Sequence, residues 1–221
     1  MNQKTEISSE LAQGKFTDEM LDHMRSMIGT ELRTDGCVNN EFATRIAIMR
    51  FCEGIGDDNP LWTDPEYAKT SVHGGLIAPP SFIFACLASV QFGWRGLGGF
   101  HAETFLDFYK PIQLDDRITC RVWFDGFDDP VDSNFGGRRI KDYIRQEYYN
   151  QNDELVAKFI CSRMRFERGE MQKRAETRKI ELPHPWTSEE LAQIDQDILA
   201  EVPRGGTPRY WEDVQVGDQL D

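Results

Sequence analysis

Residues 79–90 read Pro-Pro-Ser-Phe-Ile-Phe-Ala-Cys-Leu-Ala-Ser-Val and are apolar on almost every side of a helix. Proline is tolerated in the first turn of a helix, because the N–H that it lacks would have no partner there. A helix that is apolar all round belongs in the interior of a protein. The stretch therefore predicts a buried helix that starts at the paired prolines.

Four segments with strand character follow this helix. They are rich in β-branched and aromatic residues and partly alternate in polarity, and they span residues 101–111, 117–127, 138–151 and 154–167. Gln151-Asn-Asp153 predicts a turn between the last two, and the glycine-rich residues 93–99 predict a flexible connection before the first. We expect an α+β fold in which an antiparallel sheet wraps the helix.

The region before the buried helix predicts further helices and a long ordered loop. The apolar spacing that begins at Met20 follows a helical period, with Thr17 as a cap residue. Residues 43–54 repeat the pattern and predict a second helix or a passage from strand to helix. Residues 54–80 are dense in Gly, Asp, Asn and Pro, with a short helix expected at 65–69. Long loops inside compact domains often carry function.

The charge balance argues against two classes of partner. The chain has 221 residues, enough for one large domain or one domain with long extensions. Lys and Arg number 25 and Asp and Glu number 38, which gives a net charge of -13. Such a field repels nucleic acids and anionic membranes, so we expect neither as a partner. A small anionic ligand stays compatible with it, because a few local Arg side chains can hold phosphate groups.

The cysteine pattern bears on compartment and metal content. The five cysteines are widely spaced and form no C-x-x-C pair, which argues against a disulfide framework and a zinc site. No stretch approaches the roughly 18 apolar residues of a membrane span, and the first ten residues lack the apolar core of a signal peptide. We expect a soluble cytoplasmic protein that holds no metal.

Two loop motifs carry a resemblance to a known family. Residues 51–68 read Phe-Cys-Glu-Gly-Ile-Gly-Asp-Asp-Asn-Pro-Leu-Trp-Thr-Asp-Pro-Glu-Tyr-Ala, and 74–82 read Gly-Gly-Leu-Ile-Ala-Pro-Pro-Ser-Phe. With residues 28–32 and 108–117 they resemble, in colinear order over 16–168, the MaoC-like acyl-CoA hydratases and dehydratases. The nearest type is the N-terminal, FAS1-like dehydratase domain that precedes a second MaoC domain. The resemblance implies a hotdog fold, in which a curved antiparallel sheet wraps a long central helix and two such domains bind CoA thioesters along their interface.

The resemblance also implies a domain division. Thr187-Ser-Glu-Glu190 is a capping box that predicts a short helix, and Trp211-Glu-Asp-Val-Gln-Val-Gly-Asp218 looks like the extended opening of a second MaoC domain. We expect a flexible N-terminus at 1–15, a hotdog domain at 16–168, a linker with a short helix at 169–208, and the start of a second, missing hotdog or a tail at 209–221.

Two positions depart from the pattern of the active family members. Hydration of a 2-enoyl thioester needs an acid/base pair for the water and N–H donors for the thioester carbonyl. Active members supply these from Asp-x-Asn-Pro-x-His and from a Gly N–H at the start of the central helix. The matching positions here are Asp57 to Trp62 and Ile77 to Pro80. Indole cannot shuttle a proton and proline has no N–H. The resemblance therefore implies a substrate-holding half that a catalytic hotdog completes.

The other candidate site residues each have a structural reading as well. Asp57 matches the family acid, although Asp-Asn-Pro is also a good turn sequence. His73 lies on the loop, and His101 and Glu103 lie two apart at a strand start, which predicts one shared face. Arg163, Arg165 and Arg168 fit the outer face of the last strand. The substrate-binding candidates are Asn59, Trp62, Gly75, Ile77, Phe82, Arg138 and Arg139, of which the two arginines suit CoA phosphates or a solvated strand end.

Several functions stay open at this point. The expected ligand is an acyl-CoA thioester with no further cofactor, and the expected partner is a second MaoC-like hotdog, in a homodimer or a pseudodimer. The alternatives are a stand-alone acyl-CoA binding module and an active hydratase that uses Asp57 with His73 or His101. Hotdog thioesterases often place a carboxylate on the central helix. Residues 81–90, the predicted central helix, contain none, which disfavours that function.

Overall fold

The computed structural model describes residues 14–34, 39–86, 94, 96–133, 137–170, 185–202 and 210–218. The chain forms two compact units, residues 1–178 and 179–221. The first unit contains a six-stranded antiparallel sheet with helices packed on it. The finer division expected from the sequence stays a prediction.

Side-chain caps set the start of the first two helices. Helix α1 (Asp18–Ser26) begins where the Thr17 hydroxyl accepts a hydrogen bond from the N–H of Met20, as the sequence predicts. Helix α2 (Arg45–Ile55) is capped in the same way by Thr44, and it ends at Gly56, whose φ of 71° is left-handed. The predicted second helix is therefore confirmed.

Two short helices divide the long loop. Helix α3 (Pro60–Thr63) is capped by the Asn59 side chain, and helix α4 (Pro65–Thr70) is capped by Asp64. Both start with proline, which suits the first helical position. The predicted helix at 65–69 is confirmed. Helix α3 was not predicted from the sequence, because four residues are too few to show a helical period.

The apolar stretch that decides the fold starts as a 3₁₀ turn. This turn spans Pro80–Phe82 and continues as helix α5 (Ile83–Cys86). Phe82 and Ile83 are fully buried, whereas Phe84 is 48% exposed, so the helix is not covered on every side. Residues 87–90 lie outside the described residues.

The sheet confirms the four predicted strands and adds two short ones. Its order is β1-β3-β5-β6-β2, with β4 paired to β5 and every pairing antiparallel. The strands are β1 (Glu31–Leu32), β2 (Leu97–Phe108), β3 (Thr119–Phe127), β4 (Val131–Ser133), β5 (Gly137–Tyr149) and β6 (Leu155–Glu167). Strand β2 therefore lies at an edge of the sheet.

Part of the expected flexible connection is strand. Leu97, Gly98 and Gly99 belong to β2, opposite Glu167, Phe166 and Arg165. A Cβ on Gly98 would lie 2.2 Å from the Phe166 ring. The glycine is needed because the aromatic ring of the next strand lies against the backbone at this point, so the prediction was wrong for these residues.

The described core consists of two clusters at opposite ends of the sheet. The larger one packs the start of α5 against the sheet and includes Phe82, Ile83, Ile144, Tyr148 and Phe159. The smaller one packs α1 against β2, β3, β5 and the ring of Trp94, and its members are Phe16, Met20, Leu21, Met24, Trp94, Leu97, Phe124 and Ile140. Each end of the sheet therefore has its own apolar cover.

A buried ion pair lies beside the smaller cluster. Asp142 accepts hydrogen bonds from Nε of Arg165 at 2.7 Å and from Nε1 of Trp94 at 3.0 Å. Arg165 is paired across the strands with the core residue Ile140, and Arg163 with Asp142. Cross-strand partners share a face. Arg163 and Arg165 thus lie on the core side, and the outer-face prediction was wrong because a buried carboxylate makes an inward arginine tolerable.

The second unit contains one helix and one turn in its described part. Helix α6 (Ser188–Leu199) starts at the predicted capping box, with reciprocal hydrogen bonds between Thr187 and Glu190. Residues Trp211–Asp213 form a 3₁₀ turn between the extended residues Tyr210 and Val214. The expected extended opening is therefore interrupted. Within the described residues, no helix has the length and apolarity to cross a membrane.

Candidate functional site

A cavity of about 390 Å³ lies where the long loop, the start of α5 and the ends of β2 and β6 meet. A volume of this size is within the range of small-molecule sites. The side chains that line it are Leu61, Trp62, His73, Ile77, Ala78, Pro79, Pro80, Ile83, Phe108, Tyr109, Lys110, Pro111, Ile112, Val156 and Ala157. Most are apolar, so the wall suits a hydrocarbon group.

Backbone hydrogen bonds hold the two loop walls together. Ala78 N–H donates to the carbonyl of Ile112 at 2.8 Å, and Leu114 N–H donates to the carbonyl of Leu76 at 3.0 Å. Ile77 forms an isolated bridge with Gln113. These bonds make a short ladder between the segment before α5 and the segment after β2. The cavity therefore has a supported wall.

The Asp-Asn-Pro motif supports the helix that carries Trp62 and does not itself line the cavity. Asp57 Oδ1 accepts from the N–H of Asn59 at 3.1 Å, and Asn59 Oδ1 accepts from the N–H of Leu61 at 3.0 Å. Neither Asp57 nor Asn59 lines the cavity. Both side chains act here as turn and cap residues that present Trp62 to the cavity.

At the start of α5, the N–H groups of Ala78, Phe82 and Ile83 are already engaged, and two prolines have none. Pro79 and Pro80 have no N–H. The N–H groups of Phe82 and Ile83 donate to the carbonyls of Pro79 and Pro80, and that of Ala78 is used by the loop ladder. Pro80, which the sequence resemblance aligns with a Gly N–H donor, therefore lies in a closed turn and has no N–H of its own.

Three ionisable side chains line the cavity. His73 is half-buried, and its backbone N–H donates to the Ser71 hydroxyl at 3.2 Å. The N–H groups of Tyr109 and Lys110 both donate to the carbonyl of Val156. The Lys110 ammonium forms an ion pair with Glu154, and this pair holds the pKa of the Glu154 carboxyl below its usual value.

The family follows from a match over most of this unit. The family model described as the FAS1-like, dehydratase domain region matches residues 26–159, which include the loop, α5 and most of the sheet. This chain belongs to that family.

Curated relatives of this FAS1-like dehydratase domain are UPF0336 proteins. The one from Streptomyces avermitilis is 34% identical over 120 residues, which are 51% of this chain and 76% of the relative. The one from Parafrankia sp. is 32% identical over 121 residues, 52% of this chain and 78% of the relative. Their names state no activity.

Solved structures show the fold of the domain. A chain of the ChsH1-ChsH2 complex from Mycobacterium tuberculosis superposes with a TM-score of 0.55 at 16% identity, over 72% of this chain and 98% of that chain. A MaoC-like dehydratase superposes with a TM-score of 0.52 at 16% identity, over 74% of this chain and 51% of that chain. The domain therefore has the hotdog fold of the MaoC-like hydratases and dehydratases, as its sequence predicts.

The structure brings together only some of the candidate residues. Trp62, His73 and Ile77 line the cavity. Gly75 lies in the loop just before the lining residues, half-buried. Phe82 is fully buried and packs edge-on against Phe51, with 5.6 Å between ring centroids. Because it is sealed inside the core, Phe82 supports the cavity wall without lining it.

His101 lies far from the cavity. It is seven residues, or about 23 Å along β2, from the lining residue Phe108. Its Nε2 is 2.7 Å from the hydroxyl of Thr104. Glu103 forms an ion pair with Lys141 on the opposite face, because a β-bulge between 101 and 103 shifts the register. The expected shared face of His101 and Glu103 was therefore wrong.

The two candidate arginines also lie away from the cavity. Arg138 Nη1 donates to the carbonyl of Phe16 at 2.7 Å. Arg139 is exposed and paired across the strands with Phe166, nine residues along β6, or about 30 Å, from the lining residue Ala157. Arg139 lines a separate cleft with Phe100, Ser133, Met164 and Phe166.

Sequence reasoning missed the role of the segment after β2. Phe108, Tyr109 and Lys110 line the cavity, and the same residues carried part of the family resemblance. The motif was therefore visible in the sequence, but its place in the site was not.

Proposed function

We propose that this chain is the acyl-CoA-binding, substrate-holding half of a MaoC-like enoyl-CoA hydratase or acyl dehydratase, and that a catalytic hotdog completes it. The observation that carries the proposal is the cavity at Trp62 and Pro80. Its wall is apolar where hydration chemistry needs a proton-transfer group and N–H donors. Such a wall holds the acyl chain while another domain supplies the chemistry.

The edge of the sheet supports a hotdog partner. Strand β2 is an edge strand, and four aromatic side chains in it or directly after it are about half exposed: Phe100, Phe105, Phe108 and Tyr109. An unpaired edge with apolar side chains is a ready surface for pairing with another chain. We propose that β2 pairs with a second MaoC-like hotdog, and that the isolated chain forms a homodimer by the same edge. The solved ChsH1-ChsH2 structure from Mycobacterium tuberculosis is likewise a complex.

The thiols support a reducing compartment. The four described cysteines are free, and three of them are buried: Cys52, Cys86 and Cys120. Burial raises the pKa of the Cys86 thiol to about 12 and that of Cys120 to about 11. Such thiols are inert at neutral pH. We propose that the chain works in the cytoplasm.

A hydratase that uses its own histidine is the second candidate. His73 favours it, because its ring lies at the cavity and has no hydrogen-bond partner among the described residues. Asp57 is engaged in its turn and His101 is about 23 Å away along the strand. This candidate therefore depends on His73 alone.

The deciding experiment is hydration of crotonyl-CoA and longer 2-enoyl-CoAs by the purified chain, alone and mixed with a MaoC-like hotdog that carries the Asp and His pair. We expect turnover only in the mixture, together with saturable binding of hexanoyl-CoA by the chain alone. Turnover by the chain alone that is lost in His73→Ala and kept in His23→Ala would establish the second candidate. Binding without turnover in either sample would leave a stand-alone acyl-CoA binding module.

A further inference from the structure

The indole N–H of Trp62 is a buried hydrogen-bond donor without an acceptor among the described residues. The contrast within the chain is Trp94, whose Nε1 donates to the buried carboxylate of Asp142 at 3.0 Å. A buried donor that has lost water and gained no acceptor is unfavourable, and native proteins keep few such groups. The unsatisfied N–H of Trp62 therefore needs a structural or functional explanation.

This donor belongs to a side chain at the cavity wall, although Nε1 itself is covered. The backbone N–H of Trp62 donates to the carbonyl of Asn59 at 3.2 Å, and Asn59 caps the helix that carries the indole. The ring lines the cavity beside the apolar start of α5. An acceptor that enters the cavity with a ligand is the partner that this position lacks.

We propose that the indole N–H of Trp62 donates a hydrogen bond to an uncharged oxygen of the bound acyl thioester. The oxygen is either the thioester carbonyl or a hydroxyl on the acyl chain, since both present the same acceptor to a neutral donor. The inference rests on the proposed function, because it needs a thioester in this cavity. Nε1 is covered in the ligand-free chain, so the proposal requires the ring to turn towards the ligand on binding.

This role has a signature that a purely structural tryptophan lacks. In the ligand-free chain the Trp62 N–H has no acceptor within the described part of the chain, and the oxygen of the bound ligand supplies one. Trp62→Phe removes the donor and keeps an aromatic ring in place. The variant loses some apolar packing, because Trp62 packs against the larger core cluster, but it breaks no hydrogen bond. We therefore expect it to lose less stability than a tryptophan whose N–H is satisfied, while it binds the thioester more weakly.

The matched control is the same substitution at the satisfied donor. Trp94→Phe removes a hydrogen bond that the fold already makes and leaves Asp142 with one donor fewer. We expect it to lower the thermal midpoint and leave thioester affinity unchanged. Circular dichroism confirms that each variant is folded before it is used.

The test is calorimetric titration of wild type, Trp62→Phe and Trp94→Phe with hexanoyl-CoA, 3-hydroxyhexanoyl-CoA and free CoA. We expect Trp62→Phe to lower the thermal midpoint less than Trp94→Phe does and to weaken thioester binding about tenfold, with free CoA unaffected. An equal loss for both thioesters assigns the carbonyl, and a loss for the hydroxylated one alone assigns the hydroxyl.

Two results overturn the inference, and they are distinguishable. If wild type binds the thioesters and Trp62→Phe binds both as tightly, Trp62 donates to neither oxygen and only this inference fails. If wild type itself binds no thioester, the proposed function fails, and the inference fails because it depends on that function.

Discussion

Nε of Arg165 donates to the carboxylate of Asp142 at 2.7 Å, and the two side chains are almost wholly buried, with 9% and 0% of their surface exposed. A charge left alone in such a place is costly, because it has neither water nor a counterion. The pair lies on the core side of the sheet, beside the cluster that packs α1. It therefore joins β5 and β6 at the end of the sheet away from the cavity.

Breaking this pair should destabilise the fold without touching the cavity. We expect Arg165→Met to lower the free energy of unfolding by about 3–5 kcal/mol, measured by urea denaturation. The control is Arg25→Met, which removes an exposed ion pair with Asp22 and should change the free energy by less than about 1 kcal/mol. Equal effects of the two substitutions would mean that the buried carboxylate does not need its partner.

The cap of α3 should matter for ligand binding as well as for stability. Asn59→Ala removes the acceptor for Leu61 N–H and should cost about 1 kcal/mol of unfolding free energy. Because α3 carries Trp62, we also expect weaker hexanoyl-CoA binding in a calorimetric titration. Asp64→Ala removes the equivalent cap of α4, which does not line the cavity. Asp64→Ala should lose a similar free energy of unfolding and keep its affinity for hexanoyl-CoA. If Asp64→Ala loses as much affinity as Asn59→Ala, the α3 cap does not act on binding through Trp62.

The ion pair of Lys110 and Glu154 makes a prediction about pH. Lys110 is the largest cause of the lowered pKa of Glu154, followed by the hydrogen bond from Asn150. A lowered carboxyl pKa stabilises the fold above the unfolded-state pKa, and this contribution is lost as pH falls through the lowered value. Lys110→Met should therefore raise the Glu154 pKa towards its ordinary value in an NMR titration of the carboxyl carbon.

The same substitution should weaken thioester binding in a salt-dependent way. Lys110 lines the cavity of a chain whose net charge is -13, so its ammonium is a local attraction for an anionic ligand. We expect the wild-type affinity to fall with ionic strength more steeply than that of Lys110→Met. Lys158→Met, on β6 but not among the lining residues, is the control and should keep the wild-type salt dependence. Identical salt slopes in all three proteins would exclude Lys110 from ligand attraction.

The edge of the sheet predicts an oligomeric state. Phe105 lies on the edge strand β2 and is 61% exposed. A charge there should oppose pairing with a second chain, so Phe105→Asp should sediment as a monomer at a concentration where wild type is a dimer. Phe42→Asp, which also changes a half-exposed aromatic residue but outside β2, should stay dimeric. A monomeric wild-type chain would contradict the homodimer itself.

Local signals in the sequence were sufficient for most element starts. Thr17 and Thr187 cap their helices as predicted, and Pro65 opens α4. These signals work because a cap hydrogen bond joins residues two or three apart, so the information is contiguous in the chain. The four long strands were found for a similar reason, since their composition extends over many residues. Two-residue β1 and three-residue β4 are too short to leave such a signal.

The direction of side chains on the strands could not be predicted so well. His101 and Glu103 were expected on one face, yet a bulge between them puts them on opposite faces. Arg163 and Arg165 were expected outside, yet they lie on the core side. One extra residue in a strand reverses every later side chain, and a buried counterion in a different strand changes which face accepts a charge.

The sequence by itself determined what the site cannot do. The indole of Trp62 can neither accept nor shuttle a proton at neutral pH and Pro80 has no N–H, and these properties belong to the residues in any fold. Only the tertiary structure decided which residues share the cavity. It joins His73, Trp62 and Lys110 across almost fifty positions of the chain and leaves His101, Arg138 and Arg139 elsewhere. The reason is physical: strand register and loop ladders are long-range contacts, and no local pattern of residues encodes where they meet.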